Sequence, residues 1–200
     1  MSLASNTEKQ EWRRRFRAFL KDVSLAKREE ASARARDLLR RQAAWQRAQA
    51  ILFYAPMKGE LDLAPLLEEA LRAGKAVALP RFLVETGTYQ AVEISDYRAH
   101  CAPGKFGILE PRDPCRAMPL KRLDLALAPG LGFDESGRRL GRGQGYYDRL
   151  LAEIIGAKCG VAFDEQVVGQ LPAQEHDVSM NFILTPTRWL EVSTQIAVQP

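Results

Sequence analysis

Cysteine is scarce in this chain. The three present among 200 residues, Cys101, Cys115 and Cys159, are odd in number and widely spaced. That pattern argues against a disulfide framework or a zinc site and reads as packing residues in a reducing compartment. Long apolar runs are also missing: the longest, such as Ala50 to Ala55, are far too short to cross a bilayer, so no membrane association is expected. The first ten residues, MSLASNTEKQ, hold no apolar targeting core, which makes the cytoplasm the expected location. There is no internal repeat, low-complexity tract or interdomain linker. Residues 1–200 therefore read as one domain, taken as a monomer, large enough to bury roughly 70 % of the unfolded chain's surface.

Two standard phosphate-binding patterns are absent as well. Residues 139 to 148, RLGRGQGYYD, do not fit a Walker A loop, which needs four residues between its first two glycines and then Lys and Ser or Thr. They do not fit GxGxxG either, because Tyr146 stands where the third glycine belongs.

What is present is a soluble composition, 46 % hydrophobic and 27 % charged, with a net charge of +4. The charge is uneven: residues 1–50 hold 13 basic and 6 acidic side chains, and the rest hold 16 and 19. Such a basic segment fits a nucleic-acid-binding module, the solvated face of amphipathic helices, or a site for a polyanionic small ligand. Trp12, Phe16, Phe19, Leu20 and Val23 repeat at helical spacing, which turns Arg13, Arg14, Arg15 and Arg17 mostly to the other side and favours the solvated face.

Beyond that first helix, Ser24 is the expected N-cap of a second, with Ala31, Ala35, Leu38 and Leu39 inward and an end near Trp45. Residues 50–54 predict a buried strand. Leu63, Leu66, Leu67, Ala70 and Leu71 predict a helix ended by Gly74, and residues 76–79 a strand closed by Pro80. This β-α-β spacing is that of a right-handed parallel crossover. Residues 88–94 suggest a strand within an otherwise loop-like region, 81–122. Strands at 123–128 and 159–163, a helix over 146–155 and an edge strand at 182–184 follow. The fold class expected is a three-layer α/β/α sandwich on a mainly parallel, Rossmann-like sheet. Its ligands should gather beyond the strand carboxyl ends, at the loops Met57 to Glu60 and Gly130 to Gly145.

The loop at 139–148 carries the functional argument. Glycines at 141, 143 and 145 let backbone N–H groups come close to a phosphate, Arg139 and Arg142 put guanidinium forks beside it, and Asp148 supplies a carboxylate for magnesium. A helix starting at Tyr146 would add its positive end. An ATP-using enzyme is the expectation.

The segment LDLALAPGLGFDESGRRLGRGQGYYDRLL, residues 123 to 151, resembles the signature of the 5-formyltetrahydrofolate cyclo-ligase family, also called methenyltetrahydrofolate synthetases. Further pieces lie in order: Lys9 and Arg13, Tyr54 through Glu60, Leu79-Pro80-Arg81, Gly107 with Glu110-Pro111, Phe163 with Gln166, and Asp177. The resemblance implies conversion of 5-formyltetrahydrofolate and ATP to 5,10-methenyltetrahydrofolate, ADP and phosphate, with Mg2+ required. It also implies that Lys9, Arg13 and the stretch Arg139, Leu140, Gly141, Arg142, Gly143, Gln144, Gly145, Tyr146 and Tyr147 bind ATP. Asp148 and Asp177 would hold Mg2+, and Glu60 would accept hydrogen bonds from the pterin. Tyr54 and Tyr147 would wall the folate pocket, with Arg142 and Tyr147 at the reacting groups. Many members carry an aromatic residue and a glycine where this chain has Arg142 and Gln144. His176, beside Asp177, reads as a surface histidine, and His100 has no assigned role. The rival readings are a basic nucleic-acid-binding module, or a sugar-phosphate isomerase or acyl-transfer enzyme on a similar sheet. Nothing positive in the sequence points to the enzyme rivals, and small molecules rather than nucleic acid are the expected partners.

Overall fold

The structure, a computed structural model, describes residues 3–104, 107–172 and 177–192. Helices α1 (Leu3–Asp22), α2 (Leu25–Arg40) and α3 (Ala43–Arg47) lead into strand β1 (Ala50–Leu52). Helix α4 (Ala64–Arg72) then crosses to β2 (Ala76–Leu83), which turns back into β3 (Thr88–Ile94). A short helix α5 (Tyr97–His100) and the strands β4 (Cys101–Pro103) and β5 (Leu109–Pro111) precede β6 (Leu125–Pro129). Strands β7 (Gly132–Asp134) and β8 (Arg139–Leu140), helix α6 (Tyr146–Ala152), β9 (Ala157–Val161), β10 (Val167–Val168), β11 (Phe182–Leu184) and β12 (Trp189–Glu191) complete the order.

Seven strands form the main sheet, in the order β12-β11-β9-β6-β1-β2-β3. The five inner strands run parallel, and the outer pairs β2–β3 and β11–β12 are antiparallel. Alternation along the strands sends Ile51, Val77 and Leu127 into one core with Phe16, Leu39 and Leu67 of α1, α2 and α4. It sends Leu52, Ala78 and Ala126 into a second core with Leu150 and Leu151 of α6. Helices thus cover both faces, as the three-layer expectation requires. From β1 the chain moves outward through β2 and β3, and from β6 it moves the other way through β9 and β11. The strand order therefore reverses between β1 and β6, which places the loops after these two strands side by side.

Several local expectations differ from the structure. The second helix ends at Arg40, where Arg41 and Gln42 close back on the Leu38 and Leu39 carbonyls; Gln42 is extended, and α3 restarts so that Trp45 can pack edge-on to Phe53. Strand β2 runs through Pro80 because the Pro80 nitrogen faces away from β3, on a side that β1 has already left. Residues 182–184 are an inner strand, since Trp189 of β12 stacks on Phe182 and β12 forms the edge. Helix α6 stops at Ala152, three residues short of the predicted end.

Arg13 lies on the buried face of α1, with Lys9, Phe16 and Leu20, while Arg14, Arg15 and Arg17 face solvent. The helix sits directly over the β7 strand: a Cβ on Gly132 would run into the Phe16 ring. This close approach carries Lys9 and Arg13 over the glycine loop. Among the described residues no helix is long and apolar enough to cross a membrane, and all three cysteines are unpaired.

Candidate active site

After β1 the chain passes through Tyr54 to a turn at Met57–Glu60. The Glu60 N–H donates to the Met57 carbonyl at 3.0 Å, and Glu60 Oε2 accepts the Met57 N–H at 2.9 Å. This closed turn holds a carboxylate that is only 7 % exposed. Tyr54 does not wall a pocket as expected. Its ring is buried in the core, and its hydroxyl donates to the Leu61 carbonyl at 2.6 Å, cinching the turn that presents Glu60.

After β6 the β7–β8 hairpin delivers Arg139. Its Nη1 donates to the Pro129 carbonyl at 3.2 Å and its Nη2 to Asp148 Oδ1 at 2.7 Å. Leu140 belongs to this hairpin rather than to a ligand site, because its carbonyl accepts the Leu131 N–H and its side chain is in the core. Beneath, the Asp134 carboxylate accepts the N–H groups of Ser136, Arg138 and Leu171, and Gln166 Nε2 donates to the carbonyls of Gly130 and Leu131.

From this base the loop at 141–145 turns outward, with Gly143 and Gly145 in left-handed backbone conformations. Helix α1 clamps it. Arg13 Nε donates to the Gly141 carbonyl at 3.1 Å, Arg17 Nη2 donates to the Arg142 carbonyl at 3.3 Å, and Lys9 Nζ pairs with Asp177 Oδ2 at 2.7 Å. Arg142 Nη2 reaches across to Glu60 Oε1 at 2.8 Å. Burial, then the Arg17 charge, pull Arg13 below its ordinary pKa, while Asp177 and Asp148 oppose the shift. The Arg13 guanidinium therefore senses both carboxylates. His176 lies outside the described residues.

Between the Glu60 turn and the loop lies a cavity of about 210 Å³. Arg139, Gly141, Arg142, Gln144 and Gly145 line one side of it, and Tyr146, Tyr147 and Asp148 lie at the start of α6. Its other walls are Pro80, Tyr89 and Glu110, with Tyr89 and Tyr147 rings 5.5 Å apart and Phe82 edge-on to Tyr146 at 5.1 Å. Burial pushes the Tyr89 hydroxyl up to about 12 and Tyr147 well above its ordinary value, so both stay neutral at physiological pH. Neutral aromatic walls with carboxylates at the rim suit a flat heterocycle that carries N–H donors.

A model of the 5-formyltetrahydrofolate cyclo-ligase family matches residues 5–186. The chain belongs to this family. It is 35 % identical over 147 residues to the 5-formyltetrahydrofolate cyclo-ligase of Escherichia coli (strain K12), covering 70 % of this chain and 80 % of that protein. The mouse (Mus musculus) enzyme of the same name is 29 % identical over 157 residues, covering 70 % of this chain and 74 % of its own. The NMR structure of 5,10-methenyltetrahydrofolate synthetase from Aquifex aeolicus superposes with a TM-score of 0.84 at 30 % identity, over 96 % of each chain.

The sequence alone assigns no role to two residues of this cyclo-ligase cavity, Tyr89 and Glu110. Tyr89 sits on a strand whose pattern was legible, but its pocket-facing side was not. Glu110 was part of the family pattern with no function attached. The two carboxylates proposed for Mg2+ are both ion-paired, Asp148 with Arg139 and Asp177 with Lys9. Among the described residues no three His, Cys, Asp or Glu side chains cluster, so an all-protein metal cage is not formed. Two carboxylates fit Mg2+, which keeps several waters and takes substrate phosphates for its remaining positions.

Proposed function

We propose that this chain closes 5-formyltetrahydrofolate to 5,10-methenyltetrahydrofolate at the expense of ATP, with Mg2+ and with release of ADP and phosphate. The observation that carries this reading is the bond from Arg13 Nε to the Gly141 carbonyl across 128 positions of sequence. It brings Lys9, Arg13, Arg139 and Arg142 around one open glycine loop, at the mouth of a neutral aromatic cavity.

Bound Mg-ATP would supply the phosphoryl group that turns the formyl oxygen, a poor leaving group, into a good one, so that N10 closes the ring and phosphate departs with that oxygen. Arg13 and Lys9 present positive charge from α1 to the nucleotide phosphates, and Arg139 does so from below. Asp148 and Asp177 would hold the metal. The amides at Gly141, Gly143 and Gly145 approach the phosphates without side chains between. Helix α6, at seven residues, is too short to contribute much beyond these amides and cations. Glu60 accepts from the pterin, and Tyr147 and Tyr146 exclude water from the reacting formyl group. Arg142, bonded to Glu60 and lining the cavity, sits where a phosphoryl group must pass to reach a bound pterin, so its charge would neutralise the transfer. We take residues 1–200 as one domain that works as a cytoplasmic monomer on small molecules. Lys9 and Arg13 turn inward, and Arg34 and Arg40 pair with Glu30, Asp37 and Glu69, which leaves less free positive charge for a nucleic acid.

The test is direct. Purified protein given 5-formyltetrahydrofolate, ATP and Mg2+ should generate the near-ultraviolet absorbance of methenyltetrahydrofolate, and omission of either ATP or Mg2+ should abolish it. Folded protein that forms no such product disproves the reading.

A further inference from the structure

Glu110 stands on β5 and is one of the residues that line the cavity. The side chain is 8 % exposed and packs so tightly on Gly104 that a Cβ there would overlap its carboxyl carbon. Oε2 accepts the Phe82 N–H at 3.0 Å. Oε1 is buried and has no hydrogen-bond partner among the described residues. A buried carboxylate oxygen without a donor is unfavourable, and native proteins rarely keep one unless a ligand or an ordered water supplies the donor.

The surroundings narrow that donor. Glu110 lines the cavity together with Tyr89, Tyr146 and Tyr147, and its charge is felt by the hydroxyls of Tyr89 and Tyr147. Of the carboxylates at Glu60 and Glu110, Glu60 already has both oxygens engaged, Oε1 by Arg142 and Oε2 by Met57. Of these two, only Glu110 keeps a carboxylate oxygen, Oε1, without a partner among the described residues. A negative charge there repels triphosphate and the glutamate tail of a folate, both anionic. A reduced pterin, by contrast, carries several N–H donors along its ring edge, more than Glu60 alone can satisfy.

We propose that Glu110 is a second pterin-binding carboxylate, its Oε1 accepting a hydrogen bond from a ring N–H of the folate substrate. The inference rests on the cyclo-ligase reading and deepens it. Glu110 would hold one edge of the ring, and Phe82 and Gly104 fix Glu110.

Isothermal titration of the full chain with 5-formyltetrahydrofolate, and separately with a non-hydrolysable ATP analogue and Mg2+, tests it. Glu110→Gln retains an oxygen for the Phe82 N–H but turns an amide N–H₂ against the ring donor. It should weaken folate binding by about tenfold or more while leaving nucleotide affinity within about twofold and the melting temperature no lower. Glu110→Ala should weaken folate binding similarly. Wild-type folate affinity in Glu110→Gln, an equal loss of folate and nucleotide binding, or failure of the variant to fold would each overturn the proposal. If the wild-type chain itself fails to bind 5-formyltetrahydrofolate, the cyclo-ligase reading falls first, an outcome distinct from wild-type binding that Glu110→Gln leaves intact.

Discussion

Arg139 donates through Nη2 to Asp148 Oδ1 at 2.7 Å, with the Arg139 side chain 3 % exposed and that of Asp148 20 % exposed. The carboxylate proposed as a magnesium ligand is therefore also the counter-charge of a buried guanidinium. A carboxylate that served a metal ion alone would make Asp148→Ala stability-neutral. The ion pair reverses that expectation: removing one partner leaves Arg139 buried with only the Pro129 carbonyl, at a cost of about 1–3 kcal/mol. For a chain of this size that lowers the melting temperature by roughly 3–10 °C. Asp148→Asn, which keeps an oxygen for Arg139, should lose less stability yet as much Mg2+-dependent turnover. Thermal denaturation beside activity assays separates the two, and an Asp148→Ala protein as stable as wild type would count against the ion pair.

Gly143 has φ of +105° and lies under Arg13, whose guanidinium carbon would be 3.7 Å from an added Cβ. There is space for a methyl group, so the obstacle to alanine is the backbone conformation and not a clash. Gly143→Ala should therefore destabilise the loop by roughly 1–3 kcal/mol or pull it into another conformation, and either way turn its amides from the phosphates. Nucleotide affinity should fall by about tenfold, while 5-formyltetrahydrofolate binding measured without nucleotide stays unchanged. Titration of each ligand checks this, and an unaltered nucleotide affinity would remove the loop from the phosphate site.

Much of the frame was legible in the chain. The β1–α4–β2 crossover could be read because Leu63, Leu66, Leu67 and Ala70 keep helical spacing and Gly74 follows. The loop at 139–148 could be read because its glycines and arginines are contiguous. The β4–β5 and β7–β8 hairpins could not be, since strands of two or three residues show no periodicity. Helical spacing alone turns Arg13 with the solvated arginines, and only the family resemblance assigns it to ATP; its seat beside Lys9 on the buried face depends on Phe16 meeting Gly132, a contact between distant segments. Glu110 becomes a pocket residue only when β2 donates the Phe82 N–H to it from 28 positions away. Tyr54 was legible as part of a pattern, but its hydroxyl is taken by Leu61 and serves the Glu60 turn instead.

Burial raises the pKa of Glu110, against the lowering effects of the Phe82 N–H and the Arg81 charge. The group therefore binds its proton more tightly in the native chain than in the unfolded one. At pH below the unfolded value both states are protonated and Glu110 does not alter stability. As pH rises the unfolded chain releases the proton first, so ionisation penalises the native state, fully so above the native pKa. Glu110→Gln removes this penalty. Its melting temperature relative to wild type should be higher near pH 7, and the difference should shrink toward about pH 4. Paired melts across that range check the sign; a difference that grows on acidification would show that Glu110 is stabilised as a carboxylate by partners at Oε1.

Asp134, fully buried, is the anchor beneath the site. Oδ1 accepts the N–H groups of Ser136 and Arg138 and the Ser136 hydroxyl, while Oδ2 accepts the Leu171 N–H. One carboxylate thus fixes the turn between β7 and β8, which aims Arg139, and ties it to the segment after β10. Asp134→Ala would leave three backbone donors without their acceptor, that of Leu171 in the interior, with an expected loss of about 2–4 kcal/mol and a melting temperature lower by roughly 5–12 °C. Asp134→Asn keeps one acceptor oxygen but opposes an N–H₂ to donors at the other, so it should fall between. Because Asp134 touches neither proposed ligand, turnover by whatever fraction stays folded at low temperature should lie close to wild type. Denaturant unfolding with activity measured at 10 °C tests both parts, and a stable Asp134→Ala protein with lost turnover would move this carboxylate from the scaffold into the chemistry.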